Sequence, residues 1–127
     1  MALTHSTAAR DAMANSITAT VDTGGGTSKV QIATSSAFST ILAEFPLSST
    51  AFGASSSGVI TLAGTPITDA SAANTGTATY GRIIDRTATQ VLQGTCGTSG
   101  TDFIIDNTSI VTGQEVILNS LTWTAPT

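Results

Sequence analysis

The chain has 127 residues, of which 70 are Thr, Ser, Ala or Gly, and only 9% are charged, against about 25% in ordinary soluble domains. The chain has four basic and eight acidic residues, and the basic residues do not form a cluster. This excludes the phosphate-neutralising surface that nucleic-acid binding requires. The single cysteine, Cys96, excludes an intrachain disulfide, and the sequence has no apolar run of transmembrane length, so we expect neither nucleic acid nor a membrane as a partner.

The first predicted element is an amphipathic helix over residues 6–22, which forms an N-terminal unit, residues 1–23, together with the arm before it. Its apolar positions recur at four-residue spacing: Ala9, Met13, Ile17 and Val21. Hydroxyl side chains precede the helix and can cap it, and three glycines at 24–26 end it. Because the stripe has only three large side chains, the helix needs a surface, either its own domain or a neighbouring subunit.

Residues 24–127 show the alternation of β-strands, with β-branched and aromatic residues separated by short turn segments. Seven strands are predicted, at residues 28–34, 40–47, 59–63, 77–85, 90–96, 102–106 and 115–124. No helices interleave these strands, which disfavours a parallel sheet. We therefore predict a mainly β fold, an antiparallel β-sandwich of jelly-roll or Greek-key type with one N-terminal α-helix, in a single domain overall.

Two of the predicted strands show one apolar and one wet face. In residues 40–47 the apolar face holds the odd positions, and Leu42 lies on the other face with Thr40 and Glu44. The apolar face of the last strand is predicted to hold Ile117, Leu121 and Trp123. Strands of this kind are typical of antiparallel sheets with one solvated side.

The connections predict which strands are neighbours. Residues 85–88 suit a hairpin, and residues 97–100 form a short link between two strands that we also expect to pair. The connections at 48–58 and 65–76 are longer and rich in small residues. Such connections are typical of strands that cross between two sheets.

Residues able to catalyse a reaction are scarce. His5 is the only imidazole, and it would have to serve Cys96 or Ser99 from the far end of the chain. The candidate carboxylates for glycosidic chemistry are Glu44, Glu115, Asp102 and Asp106, and none has a recognisable setting. We therefore expect no enzyme, no catalytic residue and no cofactor, and a lone buried thiol at Cys96.

Asp102 and Asp106 flank the apolar residues 103–105 with even spacing, so both point away from Phe103 and Ile105. These carboxylates either protect a strand edge from pairing or bind calcium, and we favour edge protection. A zinc site within one chain is excluded, because one His and one Cys are too few ligands. No metal site is predicted.

Low charge combined with a hydroxyl-rich surface favours assembly, because copies that pack side by side repel each other little. We expect a homo-oligomer. The predicted assembly contacts are Leu3, His5, Met13 and Ile17.

Three segments, residues 3–12, 51–53 and 93–102, resemble a family of small proteins encoded by tailed bacteriophages and prophages. The likeness spans most of the chain. Members of that family usually have Asn at the position of Asp11, Val at Cys96 and Ala at Thr101, so this chain is a variant. The resemblance implies a virion structural protein and carries no catalytic residue.

The function expected from this resemblance is capsid decoration: a cement protein that stabilises the shell through contacts with the major capsid protein or other virion subunits. The expected location is the virion, after synthesis in the host cytoplasm, since the N-terminus lacks a Sec-type export signal. The alternative is a tail fibre or tail-associated module that binds a host surface glycan. The sequence has few aromatic residues that could bind a sugar, which favours capsid decoration over glycan binding.

Overall fold

The computed structural model describes residues 4–47 and 50–125, and these residues form one helix and ten strands. Helix α1 spans Thr7–Val21. The strands follow in chain order: β1 (Lys29–Ala33), β2 (Ile41–Pro46), β3 (Val59–Thr61), β4 (Ile67–Asp69), β5 (Gly76–Thr77), β6 (Tyr80–Ile84), β7 (Gln90–Gly97), β8 (Phe103–Ile105), β9 (Ser109–Ile110) and β10 (Val116–Thr124). All seven predicted strands are present, and the short strands β4, β5 and β9 are additional.

Eight strands of the described chain form one curled sheet in the order β2-β1-β6-β7-β8-β10-β3, with β4 also beside β10. Strands β5 and β9 pair separately. Every pair is antiparallel except β7 with β8. The fold class is therefore mainly β and rich in antiparallel pairs with one N-terminal helix, as predicted, and the curled sheet is consistent with a sandwich of jelly-roll or Greek-key type.

The connections between the strands confirm the predicted ones in part. The hairpin predicted at 85–88 is confirmed, because β6 and β7 pair antiparallel across it. The link at 97–100 joins β7 to β8, which pair as predicted but run parallel. The long connection at 48–58 carries the chain from β2 to the other end of the sheet order, where β3 pairs with β10. The connection at 65–76 is not a plain loop, since it contains β4.

The wet face predicted for the strand at 40–47 is wrong at Leu42, which is fully buried. The reason is a strand that the sequence did not predict. Gly76 of β5 lies against this side chain, and a Cβ built there would be 3.2 Å from Leu42 Cδ2. At Leu42, strand β2 is therefore covered on both faces, since Ala43 and Phe45 are buried on the other side.

The prediction that the apolar face of β10 holds Ile117 and Leu121 is right at Leu121 and wrong at Ile117. Val116 and Leu118 are fully buried, whereas Ile117 between them is only half-buried. The pairing with β8 shifts register between Leu118 and Ser120. One extra residue at this bulge reverses which positions face the core, because side chains alternate with a period of two.

Helix α1 packs on the chain's own sheet. Its Ser6 cap accepts a hydrogen bond from Ala9 N at 3.1 Å. Asp11 Oδ1 accepts from Gly58 N at 2.7 Å, and the Arg10 guanidinium donates to Ala125 O at 3.3 Å. Just past the helix, Asp22 Oδ1 accepts from Ala51 N at 3.1 Å. These bonds tie both ends of the helix to the connection before β3 and to the end of β10.

The buried stripe of α1 differs from the predicted one. Ala14 and Val21 are fully buried, and Ile17 packs against the core. Ala9, which the four-residue spacing placed on the stripe, is exposed. The buried positions follow spacings of three and four because a helix has 3.6 residues per turn, and a strict spacing of four drifts off the buried face.

Both ends of the sheet are covered by the chain itself. At the β2 end, Glu44 N donates to Asp69 Oδ2 at 3.0 Å, and Leu42 O accepts from Ala73 N at 2.9 Å. At the β3 end, Gly53 N donates to Thr61 O at 2.9 Å. Satisfied edges cannot recruit a strand from another molecule, so any contact with a partner uses faces or loops.

The sheet has two parts, β2-β1-β6-β7 and the strands β8, β10, β3 and β4. The two parts contact each other at Gly81 of β6 and Phe103 of β8. Phe103 is only 2% exposed, and its ring lies over the glycine. A Cβ built on Gly81 would be 2.7 Å from two ring atoms of Phe103 and 3.1 Å from Ile32 Cδ1. Only glycine leaves room for this close approach.

Candidate functional site

A row of long polar side chains crosses four strands of the sheet, from β2 through β1 and β6 to β7. The strand registers pair Glu44 with Gln31, Gln31 with Arg82, and Arg82 with Gln93. Cross-strand partners on one face stand side by side, so these four side chains form one line perpendicular to the strands. We call this line, with Gln90 beside it, the polar row. It holds three of the chain's four glutamines.

Hydrogen bonds join the members of the polar row to each other. Gln31 Nε2 donates to Glu44 Oε2, and Gln31 Oε1 accepts from Arg82 Nε at 2.8 Å. Further along, Arg82 Nη1 donates to Gln90 Oε1 at 3.4 Å, and Gln90 Nε2 donates to Gln93 Oε1 at 3.0 Å. Gln31 is buried, and both ends of its amide are used, so the row is satisfied where it is least hydrated.

Two flanking side chains hold the row in place. The Arg82 guanidinium carbon lies 4.5 Å from the centre of the Phe38 ring, a cation–π contact. Lys29 shares the face of Gln31, two residues along β1, and its Nζ lies 4.0 Å from Glu44 Oε1. This ion pair is half-exposed and contributes little to stability.

The polar row presents an arginine, a glutamate and three glutamines as hydrogen-bonding groups on one sheet face. Its donors and acceptors lie along a line on a sheet face, and its amides do not titrate. Arginine is enriched at the centres of protein–protein contacts, because its planar guanidinium offers several directed hydrogen bonds. The outer face of this part of the sheet is therefore the candidate interaction surface.

Cys96 is buried, as predicted, and burial raises the pKa of its thiol to about 12. A thiol with this pKa stays protonated near neutral pH, whereas a nucleophilic cysteine needs the thiolate. Ser99, the other residue considered for a triad, is exposed in the loop between β7 and β8. His5 is exposed in the segment before α1.

The four candidate carboxylates have different partners. Glu44 belongs to the polar row, and Glu115 is exposed just before β10. Asp102 Oδ2 accepts from Thr95 N at 3.0 Å, and Asp106 Oδ1 accepts from Ile117 N at 3.0 Å. The last two carboxylates therefore hold the ends of β8 to its neighbours on either side.

The edge-protecting role predicted for Asp102 and Asp106 is wrong. Strand β8, which they flank, lies between β7 and β10 and has no open edge along its paired residues. Within residues 4–47 and 50–125, no group of three or more His, Cys, Asp or Glu side chains is placed to hold a metal ion. In the same residues, no helix has the length and apolarity needed to cross a membrane.

The predicted assembly contacts fall at the N-terminal end. Leu3 lies outside the described residues. Met13 is half-buried on α1, and Ile17 packs against the chain's own core. No protein-family model matches the chain, and neither a curated protein nor a solved structure matches it.

Sequence reasoning missed the polar row because its members are far apart in sequence. Gln31 and Arg82 are separated by 51 positions, and each is an ordinary polar residue within an alternating strand. The signal that was present is the clustering of Arg82, Gln90 and Gln93 within two strands predicted to form a hairpin. The register across β1 was needed to connect them to Glu44.

Proposed function

We propose that this chain is a virion structural protein of a tailed bacteriophage or prophage, most simply a capsid decoration subunit that stabilises the shell through protein–protein contacts. The outer face of β2-β1-β6-β7 is the contact surface, and the polar row is its centre. The partner is the major capsid protein or another virion subunit. The chain binds it without a covalent step.

The observation that carries the proposal is the polar row itself. The chain has only twelve charged residues, yet it aligns an arginine, a glutamate and three glutamines on one sheet face through mutual hydrogen bonds. Side chains already fixed in position lose little entropy on binding. The resemblance of residues 3–12, 51–53 and 93–102 to phage proteins names the kind of partner.

Two further features support assembly through a face. Both ends of the sheet are hydrogen-bonded by the chain's own loops, which prevents uncontrolled strand addition. Low charge lets neighbouring copies sit close together on a shell. Many copies then multiply a modest contact energy, so that a weak contact per copy stabilises the particle.

The experiment is a binding titration on phage shells prepared without this protein, read out by co-sedimentation. The wild-type chain should bind saturably and should raise the temperature at which the shells release DNA. Arg82→Ala should weaken binding at least tenfold, about 1.4 kcal/mol, because it removes the central donor of the row.

Arg86→Ala is the matched control, since it removes the same charge from the turn between β6 and β7, where Arg86 lies 4.0 Å from Asp22. It should bind like wild type. Equal losses from both arginine variants, or shells whose thermal resistance does not change with bound protein, would contradict the proposal.

Copy number separates the shell from the tail. Quantitative mass spectrometry of intact particles should find hundreds of copies if the chain decorates the capsid. A few dozen copies or fewer would assign it to the tail instead.

A further inference from the structure

A hollow of about 240 Å³ opens between β7 and β10, at the end of the polar row. It exists because β8, the strand between them, is only three residues long. Strand β8 pairs with β7 at Cys96 and Gly97 and with β10 as far as Leu121. Beyond these residues the two longer strands face each other without a strand in between.

The backbone supplies polar groups to this hollow. Leu121 O accepts from Leu62 N at 2.9 Å, on the β3 side, so by alternation the neighbouring Thr122 directs its N–H and C=O into the hollow. On β7, Cys96 N donates to Thr79 O at 3.0 Å, on the β6 side. The same alternation directs the backbone of Gln93 into the hollow.

The side chains combine an aromatic ring and apolar floor with polar rim groups. Trp123 is half-buried, and Leu92, Leu121 and Phe103 form the apolar part of the lining. Asp102 contributes its carboxylate, and Gln93 and Thr122 contribute the backbone groups described above.

Asp102 is held with one oxygen still available. Both of its hydrogen bonds to Thr95, at 3.0 Å from N and 3.3 Å from Oγ1, use Oδ2, which leaves Oδ1 for a ligand. Gly94 makes this position possible, because a Cβ there would lie 2.9 Å from the Asp102 Cβ and closer still to its carboxylate. The carboxylate is therefore fixed over β7 and not free to swing away.

We propose that this hollow binds a single pyranose ring of a glycan. A pyranose has an apolar face of C–H groups, which suits an indole and an aliphatic floor, and a rim of hydroxyls, which suits a carboxylate and backbone groups. The volume lies below the roughly 300–1,000 Å³ of ordinary ligand pockets, which fits one ring and not a longer ligand. The site shares Gln93 with the polar row but does not include Arg82, and it does not depend on the shell proposal.

The chain's only tryptophan, Trp123, lines the site, so its fluorescence reports occupancy directly. The test titrates the purified chain with methyl glycosides of glucose, galactose, mannose and N-acetylglucosamine. At least one should change the emission saturably, with half-saturation on the order of 1–10 mM, the range expected of a small site. Sorbitol, an open-chain polyol, and choline, a cation that aromatic rings attract, should each produce a clearly weaker change than the best glycoside.

Asp102→Asn should weaken the response at least fivefold, because a carboxylate binds hydroxyls more strongly than an amide. Asn keeps an oxygen for Thr95 N, so the loop should fold. The matched control is Asp106→Asn. It alters the carboxylate that accepts a hydrogen bond from Ile117 N at the other end of β8, outside the hollow, and should leave the fluorescence response unchanged.

If Asp102→Asn lowers the melting temperature, Leu92→Val serves in its place, because it shortens the apolar floor of the hollow while keeping a β-strand former, and should weaken the response at least twofold. The proposal is overturned if no pyranoside gives a saturable change up to about 100 mM, well above the expected half-saturation. It is also overturned if sorbitol or choline matches the best sugar, or if Asp106→Asn loses as much as Asp102→Asn.

Discussion

The two parts of the sheet are built differently. In β2-β1-β6-β7, five residues of β1 pair with β6 without interruption, and each neighbouring ladder also covers five residue pairs, with one register shift before its last pair. In the part that holds β8, β10, β3 and β4, ladders cover two or three residues, and the longest strand carries a bulge. The part with long ladders carries the aligned polar row, and the part with short ladders leaves the hollow.

This difference shows where each kind of surface arises. Long ladders place side chains from distant sequence positions at fixed spacings, so they produce extended contact faces. A short strand between two longer ones leaves unpaired backbone and a depression, which is the shape of a small-ligand site. The two features meet at Gln93, which belongs to the polar row and lines the hollow.

Phe103→Ala should have the largest effect on stability, because this ring joins the two parts. We expect a loss of about 3–5 kcal/mol in the free energy of unfolding, measured with urea, since a fully buried aromatic side chain is removed. Val111→Ala, at a side chain that is 55% exposed, is the control and should change the free energy by no more than about 0.5 kcal/mol. Two separate transitions for the wild type would contradict the shared core.

Gly81→Ala tests the same junction from the other side. The added methyl would collide with the Phe103 ring, and we expect a loss of about 1–3 kcal/mol. In a Phe103→Leu background the same change should cost clearly less, because the leucine leaves more room. A double-mutant cycle by urea unfolding measures this coupling, and additive losses would show that the contact is not what limits position 81.

Asp85→Asn tests the turn between β6 and β7. Thr89 N, the Thr87 hydroxyl and Thr87 N donate to its carboxylate, at 3.0, 2.7 and 2.8 Å, and these bonds lower the pKa of Asp85. A lowered pKa in the folded state gives stability that is present above the ordinary carboxyl pKa and is lost as the pH falls through the folded value. Unfolding measured between about pH 5 and pH 2 should therefore be less acid-sensitive in Asp85→Asn than in wild type. An unchanged acid dependence would contradict the role of these bonds.

Cys96→Val should have the smallest effect, within about 1 kcal/mol, because the side chain behaves as a small buried apolar group. In the wild type, iodoacetamide at pH 8 should modify the native thiol far more slowly than the urea-unfolded thiol. Native modification as fast as in urea would show that the thiol is accessible and ionised, against its raised pKa.

The sequence predicted the fold class and all the longer elements because hydrophobic periodicity needs only a few residues to show. It missed β5, and so expected Leu42 to be wet, because a two-residue strand has no period to detect. It placed Ile117 on the wrong face because a bulge reverses the alternation of buried and exposed side chains, and no residue type in this segment marks the bulge. Neither the polar row nor the hollow was predictable from the sequence. Gln31 and Arg82 of the polar row come together only through the strand order. The same holds for Leu92 and Trp123 of the hollow.

We propose that the chain works by contact through the β2-β1-β6-β7 face, and the position of Lys29 allows a direct test of this contact. Lys29 is the chain's only lysine, lies beside the polar row and has a side chain that is 40% exposed. The measurement is acetylation of Lys29 by an amine-reactive ester, quantified by mass spectrometry in the free protein and in intact phage particles. We expect ready modification of Lys29 in the free protein and strong protection in the particle, and equal modification in both would show that this face makes no contact.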